Sequence, residues 1–379
     1  MSDTALRTPR APDAATQVAS RAHHRRLGWG AAFIVMAGAP FVLSDYWLQL
    51  GFAACVVAIS TVGLAVLARA GQITLAQPFF MAAGGLTYVV LVSPRDVPDA
   101  IGLGWPPVLA LLGGVVVAGA LGLLFTAISS RLDGIYLGMA SIGLVLLGQH
   151  FFHNAETWSG GVNGRRVPDF EVAGITFGRT VDPPVVLGTV FDRAQMQWLL
   201  GMLFLVLVTA FVLNVFRARP GRALMAVESG RLTAAVVGVN VEAYKARAFL
   251  VASVCAGLSG VLYVQSISIL SADAFDLDFA LMMLAMVVIG GLGSVGGAIA
   301  GTVFVVCLPA LLQSLFTTVP ALDLGGASTA VLSQYVFGIA IVLVLLFKPT
   351  GLVGIFTSIT AARLRPNRSA TANTTRNEE

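Results

Sequence analysis

Apolar residues in this chain fall in long, nearly unbroken runs. They cover Leu27–Ser44, Tyr46–Ala68, Ile73–Val92, Pro107–Ile128, Gly134–Phe152, Gln195–Phe216, Ala248–Ile269, Phe279–Gly293, Ala298–Phe316 and Ala330–Phe347. Most approach the roughly 20 residues that a helix needs to cross the hydrocarbon of a bilayer. The pattern predicts an all-α, polytopic integral membrane protein with ten transmembrane helices between residues 27 and 355. Polar residues gather in residues 1–26 and 356–379, read as disordered tails, in the segment 154–194, and in a loop at 217–247.

Composition agrees with a membrane solvent. Hydrophobic residues make up 57% of the chain and charged residues 11%, against about 25% charged in a soluble domain. Cys55, Cys255 and Cys307 lie inside apolar runs and read as small buried hydrophobes, without a disulfide framework. No basic tract with interleaved aromatics suggests nucleic acid. Charge placement sets orientation. With the N-terminus inside, only Arg95, Arg165, Arg166, Arg179 and Arg193 of the 23 Lys and Arg fall outside. That asymmetry places both termini in the cytoplasm. The first run is longer than a signal-peptide core and lacks an obvious small-x-small cleavage site, so it is expected to be retained. The eighth run is short and ends in Gly290-Gly291-Leu292-Gly293. A segment that dipped in and returned would export the Arg-rich C-terminus, so a crossing is expected, with a broken end lined by protein. The segment 154–194, rich in Gly and Pro, is expected to form a small external cap.

The 217–247 loop is the long basic interruption between apolar runs. Pro220 and Gly221 break the preceding helix. Short helices are expected over Arg222–Glu228 and Arg231–Val237, with Gly230 and Gly238 as their stops. Ala234, Ala235 and Gly238 would leave a smooth small face for a partner's groove, and Glu228 a charge for a basic partner.

Other motifs carry less. Gly291-x-Gly293-x-x-Gly296 has the letters of a dinucleotide fingerprint, but it ends a membrane run and lacks the βαβ setting. Close backbone packing or a tight turn accounts for it. Gly134-x-x-x-Gly138 and Gly297-x-x-x-Gly301 suit tight helix packing. His150, His153 and Glu156 could face one way for a metal, but interfacial polar side chains at a helix end explain them better, and no metal is expected. The polar residues inside the spans are uncharged: Thr74, Gln77, Gln149, Gln265, Ser266, Gln313 and Gln334. Proton- or sodium-coupled carriers usually hold charge at membrane depth. Its lack here suggests that energy enters from elsewhere, with the 217–247 loop as the point of delivery.

Several stretches resemble one family, the inner-membrane permeases of ATP-binding-cassette importers of the branched-chain amino-acid, LivM-like type. They are the Gly71–Gly85 segment, Arg131-Leu-Asp-Gly-Ile-Tyr136, Ser159-Gly-Gly-Val-Asn-Gly164, the loop from Gly221 through Glu228 to Asn240, Ile289–Gly297 and Phe347-Lys-Pro-Thr-Gly351. The order and spacing match over roughly residues 46–355. Departures occur at Ala76-Gln77, where the family has Gly-His, and at Val227, where it has Arg. The resemblance implies an importer permease fold in a bacterial inner membrane. It implies a second, LivH-like permease subunit, two cytoplasmic ATPases that bind the ATP, and an extracytoplasmic solute-binding protein, with membrane lipid around them and no cofactor in this chain. It implies ATPase coupling through Glu228, Ala234, Ala235 and Gly238. It also implies a translocation path or close packing at Gln77, Gly160, Gly161, Asn163, Gly164, Gly290, Gly291 and Gly293. The expected solute is a small zwitterion, first a branched-chain amino acid, with urea, short amides or aromatic acids as alternatives. A self-sufficient secondary carrier is the rival class; a mid-span charged pair would favour it, and none is present. An intramembrane enzyme would need an acid–base constellation that the spans lack.

Overall fold

A computed structural model of the chain describes residues 43–318 apart from 96–100, 133, 169, 173–174, 177–184, 187–188, 191 and 237, with isolated positions beyond. The two tails and nearly all of the first and tenth expected spans lie outside the described residues. The helices are α1 (Asp45–Arg69), α2 (Gln77–Val92), α3 (Pro107–Ser129), α4 (Ile135–Asn154), α5 (Arg193–Arg217), α6 (Arg219–Ser229), α7 (Arg231–Val236), α8 (Val241–Ile267), α9 (Leu277–Gly290) and α10 (Val295–Thr318). Among these, α1, α3, α4, α5, α8 and α10 are long and apolar enough to cross a membrane. The protein is a multi-pass, all-α membrane protein.

Two helices form the interior. In their most apolar stretches α1 is 83% and α8 72% buried, whereas α3, α4, α5 and α10 are only 28–39% buried. The outer helices turn Leu112, Val116 and Leu124, Leu146 and Leu147, and Leu203, Leu207 and Phe211 outward. Hydrocarbon suits such faces, because lipid tails are as apolar as leucine. With little hydrophobic gain between helices in lipid, close packing must hold the bundle, and glycine supplies it. A Cβ at Gly84 of α2 would lie 2.6 Å from Gly257 Cα of α8, and one at Gly114 of α3 would lie 2.6 Å from the Gly84 carbonyl oxygen. Gly260 of α8 lies against the main chain of Met81, with no room for a methyl group. Hydroxyl bonds join the seams: Ser259 Oγ donates to Val56 O at 2.6 Å, and the Thr61 and Thr302 hydroxyls are 2.8 Å apart.

The bundle has two distinct ends. At the basic end lie Arg69, Arg131, Arg217, Arg219, Arg222, Arg231, Lys245 and Arg247. At the cap end, Arg165–Arg166 pairs as a two-residue strand with Ile269–Leu270, and His153 Nε2 lies 3.2 Å from Asp273 Oδ1. The expected external cap thus has a little β-structure: that pair and two minimal hairpins, Glu171–Val172 with Ile175–Thr176 and Val185–Val186 with Thr189–Val190. Helix α9 runs from cap to basic end in 14 residues, about 21 Å at the helical rise of 1.5 Å per residue. That is less than the roughly 30 Å hydrocarbon core. Ala272 and Phe275 ahead of it and Gly293 behind it are buried, so protein covers the irregular backbone at both ends.

Candidate functional site: a polar break beside a basic knob

The run expected to form a helix from Ile73 is non-helical until Gln77. Gly71, at φ 69°, ends α1: its amide bonds to Ala68 O and the Gln72 amide to Leu67 O, both at 3.0 Å. That is a Schellman closure, which satisfies the last carbonyls and turns the chain out of the helix. The chain then crosses the interior without helical bonds. Leu75 N donates to Ser141 Oγ of α4 at 3.0 Å, and Ala76 N donates to Thr74 Oγ1 at 3.1 Å. Pro78 at the start of α2 fits a first turn, where its missing N–H is not needed.

This break is a polar part of the interior. Gln72, Thr74 and Gln77 are buried, with Ser60 and Ser141 beside them. Ser60 Oγ donates to Gln77 Oε1 at a long 3.4 Å. Gln77 Nε2 and both amide atoms of Gln72 have no partner among the described residues. An unpaired buried polar atom costs about 1–3 kcal/mol, so three close together in sequence are costly unless something polar passes. Irregular backbone at membrane depth recurs where a solute path is lined.

The knob stands at the basic end. Helices α6 and α7 are close to expectation, though α6 starts three residues earlier, at Arg219, with Pro220 in its first turn. Gly238 has φ 79°, and nothing stands within 4 Å of where its Cβ would be. Asn240 then caps α8, its Oδ1 accepting from Ala243 N at 3.1 Å. One expectation needs correction. Ala234 does not share the outer face: it is fully buried, packed with Val227 and Val241 where α7 folds back on α6. A small residue is needed there to let the two short helices close. Ala235, Gly238 and Glu228 are exposed, together with Val236, which is 89% exposed.

Knob and break touch. The space where a Gly71 Cβ would project is 3.7 Å from Glu228 Cα. Two residues earlier, Arg69 Nε donates to Gly293 O at 2.8 Å while its guanidinium lies 4.4 Å over the Phe216 ring. Arg69 therefore ties the end of α1 to the α9–α10 turn and the end of α5. Of the sequence-predicted residues, Gln77, Glu228, Gly290, Gly291 and Gly293 belong to this neighbourhood. The last three make the turn, with Gly291 and Gly293 at positive φ and Gly290 against Gly297. Gly160, Gly161, Asn163 and Gly164 lie at the opposite, cap end. There Gly160, Gly161 and Gly164 take positive φ, and Gly164 lies against Leu270 O. Sequence reasoning missed Arg69, Gln72, Ser60 and Ser141. Gln72 carried a signal, a second amide five residues before Gln77, just ahead of the same apolar run. The His150–His153–Glu156 group holds no metal-like cluster among the described residues. His150 meets Asn154, and His153 Nδ1 is 3.0 Å from Gln149 O.

Residues 47–345 match the family model described as the branched-chain amino acid transport system permease component. The high-affinity branched-chain amino acid transport system permease protein LivM of Escherichia coli is 27% identical over 342 residues, 85% of this chain and 73% of its own length. Its namesake in Salmonella typhimurium is 27% identical over 335 residues, with the same coverage. No solved structure matches the chain significantly.

Proposed function

The chain belongs to the family of branched-chain amino acid transport system permease components, and from that premise we propose that it forms part of the solute path of an ATP-driven importer. The solute is a branched-chain amino acid. The chain pairs with a second, LivH-like permease subunit, receives the solute from an extracytoplasmic binding protein, and is driven by two cytoplasmic ATPases that bind the ATP. It sits in a bacterial inner membrane with the basic end in the cytoplasm. The gathering of cations at that end supports this orientation. Glu228, Ala235, Val236 and Gly238 form the surface offered to the ATPase.

The observation that carries the proposal is the contact between an exposed basic knob and a buried polar break. A movement imposed on Glu228 from below reaches Gly71 directly, and Gly71 is the hinge between α1 and the segment holding Gln72 and Gln77. The unpaired amides supply neutral donors and an acceptor to a zwitterion. They provide no charge to hold it, so release stays fast. Among the described residues the Asp, Glu, Lys, Arg and His side chains of the long helices lie within two turns of a helix end, which disfavours a self-sufficient ion-coupled carrier. Urea, short amides and aromatic acids are solutes that the same neutral path could pass.

Reconstitution with all partners tests this. Uptake of leucine or valine into proteoliposomes should require both ATP and the binding protein, and Gln77→Ala should lower it without loss of folded chain. Uptake by this chain alone, or uptake undiminished without the binding protein, would overturn the proposal.

A further inference from the structure

At the cap end, away from the break, α1, α5 and the end of α8 enclose a pocket of about 210 Å³. Its walls carry Gln49, Gln197, Ser266 and Ser268, with Phe52 and Ile267 as apolar sides and Arg193 as its cation. Arg193 Nη2 donates to Ser268 Oγ at 3.1 Å, whereas its Nε is buried and has no partner among the described residues. No carboxylate among the described residues pairs with this guanidinium. Gln197 is buried, 6% exposed, on the same wall.

The backbone is also bent to build this wall. Ser268 has φ 60°, the one positive φ among the described non-glycine residues. Such a conformation is unfavourable outside glycine and persists where the surroundings impose it. Here it places the Oγ that holds one arm of the guanidinium, while the Nε stays unpaired. The pocket lies at the level of Tyr46, Trp47 and Trp198, at the outer ends of α1 and α5. Such aromatic residues mark the membrane–water interface.

We propose that this pocket binds an oxyanion, a carboxylate or phosphate group, on the Arg193 guanidinium with Gln197 as a further donor. Two sources carry that group to this depth: the headgroup of an anionic lipid, and the carboxylate of a small amino acid arriving from the cap side. A guanidinium suits both, because its planar fork matches carboxylate and phosphate geometry.

The test uses the purified full chain in neutral detergent, with thermal melting followed against ligand concentration. One arm compares dihexanoyl phosphatidylglycerol with dihexanoyl glycerol, which lacks the phosphate. The other compares leucine with leucinol, which lacks the carboxylate. Saturable stabilisation by at least one oxyanion-bearing ligand over its match that lacks the oxyanion is expected, and the responding arm identifies the source. Arg193→Gln should weaken the apparent affinity about tenfold or more, as expected for one charge-assisted hydrogen bond. Should that variant fold poorly, Arg193→Lys keeps the charge but loses the fork, and Gln197→Leu keeps the volume but loses the donor. Each should weaken binding several-fold. No saturable difference in either arm, or binding unchanged in all folded variants, would overturn the proposal.

Discussion

Gly260, in the middle of α8, has a helical backbone and no room, because a Cβ there would run into the main chain of Met81. Gly238, just ahead of the same helix, has the reverse. Nothing stands within 4 Å of its Cβ position, yet its φ is 79°. One glycine is required by space and the other by conformation. The first belongs to the seam where α2, α3 and α8 cross at backbone contact distance. The second belongs to a knob whose outer face packs on nothing among the described residues. A seam residue should therefore fail in folding, and a knob residue in function. The Ala234–Ala235 pair repeats the contrast within two positions: Ala234 is sealed between α6 and α7, and Ala235 is exposed.

The largest effect is expected at the seam. Gly260→Val forces α2 and α8 apart, and overpacking costs typically 1–3 kcal/mol, about the upper end when the obstacle is backbone. The variant should yield little monodisperse protein after detergent extraction, read by size-exclusion chromatography. A well-folded yield equal to wild type would mean that the seam is looser than described.

Next comes Gly238→Val, which places a branched residue in the left-handed region, at about 1–2 kcal/mol or more. The chain should still insert and melt near the wild-type temperature, while ATP-driven uptake is lost. Gly238→Asn, which tolerates that region better, should retain part of the uptake. If Gly238→Val also failed to fold, the division between seam and knob would collapse.

A smaller effect is expected at Glu228. It is exposed, so Glu228→Lys should reduce co-purification of the ATPase at low salt. The difference from wild type should shrink as ionic strength rises, since the screening length is only about 10 Å at 0.1 M. A salt-independent loss would indicate distortion of α6 instead of a lost charge contact.

The smallest effect lies back in the interior. Thr61→Val and Thr302→Val remove the hydroxyl contact between α1 and α10. A double-mutant cycle on thermal stability should give a coupling of about 0.6 kcal/mol, the average for hydrogen bonds between membrane helices. A coupling near zero would leave shape alone to hold that seam.

Much of this molecule was legible in its sequence. The expected runs Pro107–Ile128, Gly134–Phe152 and Gln195–Phe216 correspond to α3, α4 and α5 within two residues at each end. Apolar run length is a direct readout of bilayer thickness. The failures lie where the solvent is protein instead of lipid. Helix α8 begins seven residues before the expected Ala248, because its first turns, with Glu242 and Lys245, stand in the basic loop and need no apolar signal. The Ile73–Ala76 stretch is apolar enough for a helix, yet Gly71 and Pro78 and the distant Ser141 keep it out of one. Ala234 was placed on the wrong face because a six-residue helix is too short for its periodicity to reveal which side is covered. Arg69 with Gly293 and Arg193 with Ser268 pair across long sequence separations. A single sequence carries no local trace of such pairs.

The burial of α1 also has a consequence in time. Helix α1 is the most enclosed of the long helices, yet Thr61 and its partner Thr302 are 241 residues apart. At about 5–20 residues per second, a ribosome needs on the order of 10–50 s to supply that partner. For that interval the nascent helix must wait in lipid with a face meant for protein. Thr61 Oγ1 can donate to Ala58 O of its own helix at 3.1 Å, so its hydroxyl need not wait unsatisfied. The innermost helix of the finished bundle is thus equipped to live first as a solitary one.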